Sequence, residues 1–292
     1  MKKIRKLKDL FMKKFLFSTG ILNIGIIFAM FLFIFINGMK FFKDYNVKDF
    51  LFGKSWISLS GKFGILPLLV GSFWVTLIGV IISVPLGILT AIYIGEYAPK
   101  RIKSGMKIII EVMSAIPSVV LGFIGLYILA GPVKRIFSLN SGLTALTGGV
   151  MLAFMAFPTI VSMTEDALNA LDSSYKEASL ALGANKTETI FNVLVPAAFP
   201  GILAGIMLGF GRIVGETLTV LMITGNAPIL AKSPLSSVRT LTATIAAEMG
   251  EVVQGSAHYH SLFAIGIILF IISFITNTLA EHYVRKSRNL KN

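Results

Sequence analysis

Of the chain's 292 residues, 55% are hydrophobic and 14% charged, with a mean hydropathy of +0.81. Soluble domains carry about 25% charged residues, so an ordinary soluble fold is excluded and membrane spans become the units to count. The net charge of +13 would suit nucleic acid, but the cations flank apolar runs and complement anionic lipid there. Membrane lipid, and no nucleic acid, is the expected partner. The absence of cysteine excludes disulfides, thiolate catalysis and Cys-based metal sites.

Residues 1–14 form a basic lead containing Lys2, Lys3, Arg5, Lys6, Lys8, Lys13 and Lys14. The apolar run 15–39 follows; its length and the lack of an A-x-A site favour an uncleaved first span over a secretory signal. Residues 40–63 are a mixed-charge external segment in which Trp56 is expected at the membrane interface. Gly53-Lys54-Ser55 resembles the end of a phosphate-binding P-loop, but Lys48 stands where that motif needs Gly.

Residues 64–284 read as a denser core of five spans, built on the charge-free runs 63–95, 112–133, 136–164 and 252–280. The remaining run, 189–231, is interrupted only by Arg212 and Glu216. Pro117 and Pro158 are expected to kink or break their spans. Glu111, just inside the third span, is expected to snorkel to the interface, with an inner-gate contact as the alternative. Residues 285–292 are a basic tail.

The fold class is therefore an all-α membrane protein of six transmembrane helices. Six spans place both ends on one side, and 17 of the 27 Lys and Arg residues fall there against nine in the opposite loops. Both termini are predicted cytoplasmic.

The segment 165–196, between the fourth and fifth spans, is unusual for a loop. Ala167, Leu168, Leu171, Tyr175, Ala178 and Leu182 recur at three- and four-residue steps, the pattern of an amphipathic helix. Gly183 can end that helix in a left-handed conformation. Thr187 is expected to cap a second helix through Val195, stopped by Pro196. Two short helices meeting at Gly183 would make a compact docking knuckle.

Residues 177–196, EASLALGANKTETIFNVLVP, resemble the cytoplasmic signature loop of ABC importer permeases. Glu177, Ala178, Gly183 and Pro196 match its pattern, while Ser179 replaces the second Ala and Val193 and Val195 replace Ile and Leu. The resemblance covers roughly residues 64–284. EYAP at 96–99, AIPSVVLGFIGL at 115–126, FPTIVSMTEDAL at 157–168, GRIVGET at 211–217 and GSAHYHSLFA at 255–264 are similar to phosphate importer permeases. The last string and the long lead are more similar to the PstC type than to the PstA type.

That family implies a type I ABC importer permease fold. It implies a second, PstA-like permease, a dimer of a PstB-like ATPase that grips Glu177, Ala178, Gly183 and Pro196, and an external PstS-like phosphate-binding protein. It implies no cofactor and no ATPase site on this chain, and a prokaryotic plasma (inner) membrane location. Permeases for molybdate or sulfate share the loop signature and are the alternative.

Within the membrane, Arg212 and Glu216 each cost roughly 2.5–3.5 kcal/mol to insert. Four residues apart on a helix, they would share a face and partly neutralise each other. At 100° per residue, Gly201, Gly205 and Thr219 lie within about 20° of Arg212. This stripe reads either as a tight helix seam with one buried ion pair or as the lining of a translocation path.

Arg suits an oxyanion through its planar fork. Glu216 could accept the one O–H of hydrogen phosphate, which sulfate lacks. Ser114, Ser118 and Thr159 could donate to a passing anion, or bond back to their own helices. His258, His260 and His282 read as interfacial side chains, with no metal motif around them. An intramembrane enzyme pairing Glu216 with a histidine has no accompanying nucleophile motif.

Overall fold

The computed structural model describes residues 2–289. Among them, six helical stretches are long and apolar enough to cross a membrane: Leu10–Phe41, Leu66–Tyr97, Ser118–Ile136, Ala145–Asn169, Lys186–Gly215 and Ala257–Leu279. The count matches the five charge-free runs plus the run 189–231, because each run of about 20 apolar residues can satisfy its backbone only as a helix. Part of the expected tail at 285–292 falls outside the described residues.

Helix α1 (Lys2–Phe41) packs along α13 (Ala257–Asn289), with Phe31 tilted against Phe270 and Phe33 edge-on to Phe263. The connection onward is folded. Helix α2 (Val47–Phe52) leads to a hairpin of β1 (Trp56–Ile57) and β2 (Lys62–Phe63), in register Trp56 opposite Phe63. Trp56 is only 2% exposed and belongs to a cluster with Phe41, Phe50, Phe63, Leu241 and Leu262. Trp56, expected at the membrane interface, is thus packed inside the protein against the start of α13.

Helix α3 (Leu66–Ile92) continues into a wide π-turn at Tyr93–Tyr97. The third span differs from expectation. Helix α4 (Lys100–Ala115) ends before Pro117, with Ile116 extended at ψ 124°. Proline lacks a donor and forces its predecessor out of the helical region. The span proper begins at Ser118 as α5 (Ser118–Ile124), then runs through a π-turn at Gly125–Leu129 into α6 (Ala130–Ile136). Glu111 accordingly sits exposed on amphipathic α4 rather than in the span.

The fourth span, α7 (Ala145–Asn169), starts on a Thr144 cap and runs unbroken through Pro158, so Pro158 does not break its helix. It is the most buried span, with α3 on one side and α10 (Val195–Gly215) on the other. Gly201, Gly205 and Gly209 of α10 face α7 so closely that an added Cβ would lie 2.5–2.8 Å from Ala167, Met163 and Ile160. The glycine half of the stripe is thus a helix seam.

The segment between these spans is also redistributed. Ala167 and Leu168 end α7, and the knuckle helix is the shorter α8 (Ser173–Ala181). The second helix begins as α9 (Lys186–Glu188), capped by Asn185 rather than Thr187, with Glu188 closing a capping box. It does not stop at Pro196. A π-turn at Thr189–Leu194 carries it into α10, and Pro196 occupies the first turn of the regular helix, where a missing N–H is tolerated.

Candidate functional site

The intramembrane charges lie where the fifth span comes apart. Helix α10 ends at Gly215; Glu216 is extended (φ −70°, ψ 136°) and Thr217 is non-helical (φ −122°, ψ −56°). Helix α11 (Leu218–Ile223) then resumes. The chain has left the helix before it reaches Glu216, so the i,i+4 geometry assumed for Arg212 and Glu216 does not exist. No ion pair between them occurs among the described residues.

Each charge instead has its own partners. Arg212 Nη1 donates to Thr159 Oγ1 of α7 at 3.2 Å. Glu216 Oε1 accepts from the Thr219 backbone N–H and can accept from the Thr219 hydroxyl, both at 3.0 Å. The carboxylate thereby occupies one of the open N–H groups that begin α11. Thr219, fully buried, also lies 2.9 Å from the carbonyl oxygen of Ser118, so its single proton serves either acceptor. Thr242 Oγ1 donates to the Glu216 carbonyl at 2.8 Å.

The structure therefore joins Glu216, Thr219 and the backbone carbonyl of Ser118 between the fifth and third spans, whereas Arg212 is held separately by Thr159 of the fourth. Arg212 remains only partly buried and keeps further N–H donors, and both hydrogen bonds to the Glu216 carboxylate fall on Oε1. The Arg212 fork suits an oxyanion, and Glu216 Oε2 is an acceptor with no hydrogen bond among the described residues. By contrast, an apolar crevice of about 430 Å³ lined by Ser72, Phe73, Thr76, Phe210 and Val214 offers no charge to an anion.

The knuckle is built from caps. Asp172 accepts from the Ser174 N–H at 2.8 Å to start α8, and that backbone bond holds its carboxyl below the usual carboxylate range. Gly183 has φ +89°, with the Gly183 N–H donating to Leu180 O and the Ala184 N–H to Ser179 O. These two bonds are the Schellman termination that glycine permits. The Ser179 and Thr189 hydroxyls, both buried, meet at 3.0 Å and lock the two helices together. The departure at Ser179 from the family pattern thus adds a hydrogen bond. Glu177 and Ala178 are exposed, and Leu182 at the tip is 90% exposed.

Sequence reasoning missed what anchors this knuckle. Lys176 Nζ contacts Glu96 Oε2 at 2.5 Å, Tyr97 shares a hydrogen bond with Thr187 at 3.1 Å, and Lys186 Nζ lies 4.7 Å from the Tyr97 ring centre. Glu96 and Tyr97 close the second span, inside the EYAP string that was read only as a family mark. Glu165 was missed too: 4% exposed, it pairs with Lys107 at 2.9 Å and Lys103 at 3.3 Å, tying α4 to α7. Opposite charges in separate loops were the available signal, but which ones meet is a tertiary fact. His258 is bonded to Glu248 at 2.7 Å. Among the described residues no group of three His, Asp or Glu side chains could hold a metal.

Residues 83–289 match the family described as binding-protein-dependent transport system inner membrane component. A probable ABC transporter permease, YqgH of Bacillus subtilis, is 37% identical over 88% of this chain and 85% of its own length. The phosphate transport system permease PstC of Mesorhizobium japonicum is 33% identical over 82% of this chain and 78% of its own. Among solved structures, a bacterial alginate ABC transporter chain superposes with a TM-score of 0.65 at 15% identity, covering 94% of this chain and 95% of that one. A chain of the MetNI methionine ABC transporter gives 0.57 at 20% identity, covering 77% and 94%. The fold is that of type I ABC importer permeases, and the chain belongs to the family of binding-protein-dependent transport system inner membrane components.

Proposed function

We propose that this chain is the permease half-channel for inorganic phosphate in an ATP-driven importer. It pairs with a second permease, its knuckle seats in one of two ATPase subunits, and an external phosphate-binding protein delivers the ion. The termini and the 165–196 knuckle face the cytoplasm. The observation that carries the reading is the broken fifth span, where Arg212 and Glu216 stand apart with separate partners. A purely structural ion pair would place them in contact, and intramembrane charges that are not mutually paired mark substrate pathways. The likeness to relatives named phosphate transport permeases supports the choice of ion.

In this reading Arg212 turns its free N–H fork to the phosphate oxygens, and Glu216 Oε2 accepts the phosphate O–H. Thr219 and Thr159 hold the two charges in place. ATP binding closes the ATPase pair, the knuckle moves with it, and the anchors at Glu96 and Tyr97 pass that motion to the second span. Hydrolysis belongs to the ATPase partner. Phosphate uptake by the reconstituted importer tests the site. Arg212→Ala should lower it at least tenfold at equal membrane abundance, and Arg212→Lys should restore it only in part, since a point charge replaces a bidentate fork. Normal uptake by Arg212→Ala would remove this residue from the path.

A further inference from the structure

Glu248 closes α12 (Leu241–Glu248) and sits in a cluster that no part of the transport reading uses. Its carboxylate receives the Trp56 indole N–H at 3.0–3.1 Å, Arg239 Nη1 at 2.5 Å and His258 Nε2 at 2.7 Å. Trp56 comes from the β-hairpin after the first span, Arg239 from the segment before α12, and His258 from the start of the last span. A single carboxylate therefore ties together three separate pieces of the end of the bundle opposite the knuckle. Arg239 and Glu248 are each about 15% exposed, so these bonds are shielded from water.

The other end of α12 reaches the broken fifth span. Thr242 Oγ1 donates to the Glu216 carbonyl at 2.8 Å, and the Leu241 N–H donates to Ser72 Oγ of α3 at 3.0 Å. Thr242 and Glu248 are six residues apart, about 9 Å along one short helix. The approach to α12 is held as well. The Val238 N–H donates to Thr224 O and the Thr224 hydroxyl lies 2.9 Å from Val238 O, closing the loop between α11 and α12. At Gly71 an added Cβ would lie 2.5 Å from the Arg239 carbonyl oxygen, so this loop is seated directly on α3.

We infer that α12 is a strut that sets the backbone at Glu216–Thr217 from the Glu248 cluster, and that Glu248 and Thr242 are positioning residues for phosphate passage. The inference rests on the reading of Arg212 and Glu216 as the path. An extended Glu216 has no intrahelical partner for its carbonyl oxygen, so Thr242 supplies one and thereby selects the broken conformation. Thr242 can do this only while α12 keeps its axial position, which Glu248 fixes at the far end.

The test uses the complete importer in proteoliposomes, with its ATPase and phosphate-loaded binding protein. Phosphate uptake and ATP hydrolysis are both measured per transporter. Thr242→Val, nearly the same shape, should cut uptake about fivefold, the size of one lost hydrogen bond, with ATP hydrolysis kept. Thr242→Ser should restore uptake. Glu248→Gln should lower uptake to a similar degree, and the double variant should be no worse than the more impaired single, because both break one strut.

Normal uptake per transporter in Thr242→Val, failure of Ser to rescue, or additive losses in the double variant would each overturn the inference. Variants that merely lose abundance in the membrane at unchanged uptake per transporter would also overturn it, since they show a folding role alone. If Arg212→Ala transports normally, the path reading itself fails; if it does not and the strut variants do, only the strut fails.

Discussion

Glu216 shows how a residue's meaning depends on where its backbone lies. On a continuous helix it would neutralise Arg212; off the helix, it caps α11 through Thr219 and leaves one oxygen uncommitted. Glu216→Gln keeps the shape and one oxygen for the Thr219 N–H, but an NH2 donor replaces Oε2, which removes both the acceptor for the phosphate O–H and the charge that repels an anion with no O–H to give. Sulfate should then inhibit phosphate uptake several-fold more strongly. Measured at saturating phosphate-loaded binding protein, the inhibition reports on the permease alone. Unchanged sulfate sensitivity would remove Glu216 from discrimination. That Arg212 and Glu216 are costly charges in an apolar run was legible in the sequence. Their separation was not, because Thr159, which holds Arg212, and Thr242, which holds the Glu216 carbonyl, lie 53 and 26 residues away in sequence.

Among the elements, the knuckle was the most legible and the third span the least. Gly183 was read as a left-handed terminator, and φ is +89°. Nothing lies within 4 Å of a Cβ added there, so a substitution is penalised through the backbone and not by collision. Gly183→Asn, which tolerates this region, should keep coupling, whereas β-branched Gly183→Val should cost more than the roughly 1–2 kcal/mol typical of a left-handed residue. The Val variant should hydrolyse ATP with little uptake, read as phosphate moved per ATP; normal coupling would count against the knuckle as a rigid lever. The second helix was cut short at Pro196 because a proline inside an apolar pattern reads as a stop, and only the preceding π-turn shows how the chain continues. In the third span, charge-free residues 112–115 were assigned to the membrane by composition alone, although Pro117 turns them onto a separate amphipathic helix.

For the whole molecule, a multi-pass inner membrane protein, cysteine labelling reads which end faces which side. The lack of any cysteine makes the chain a ready background for single-cysteine labelling. Leu182 at the knuckle tip is 90% exposed, and Leu59 in the hairpin at the other end is fully exposed. In intact cells Leu59→Cys should react with an impermeant maleimide and Leu182→Cys only after the membrane is opened. The reverse pattern would invert the topology and place the knuckle out of an ATPase's reach. Neither substitution touches the core, so abundance should not change.

The sequence by itself determined the number of spans, the existence of the knuckle and the presence of charge in the fifth span. Each follows from local rules: apolar length against bilayer thickness, helical periodicity, glycine conformation and the energy of buried charge. Only the tertiary structure decided what those charges touch, how Trp56 and His258 converge on Glu248, and how Glu96 and Tyr97 anchor the knuckle. These depend on pairings across ten to nearly two hundred residues, which the packing of helices selects and no local pattern encodes.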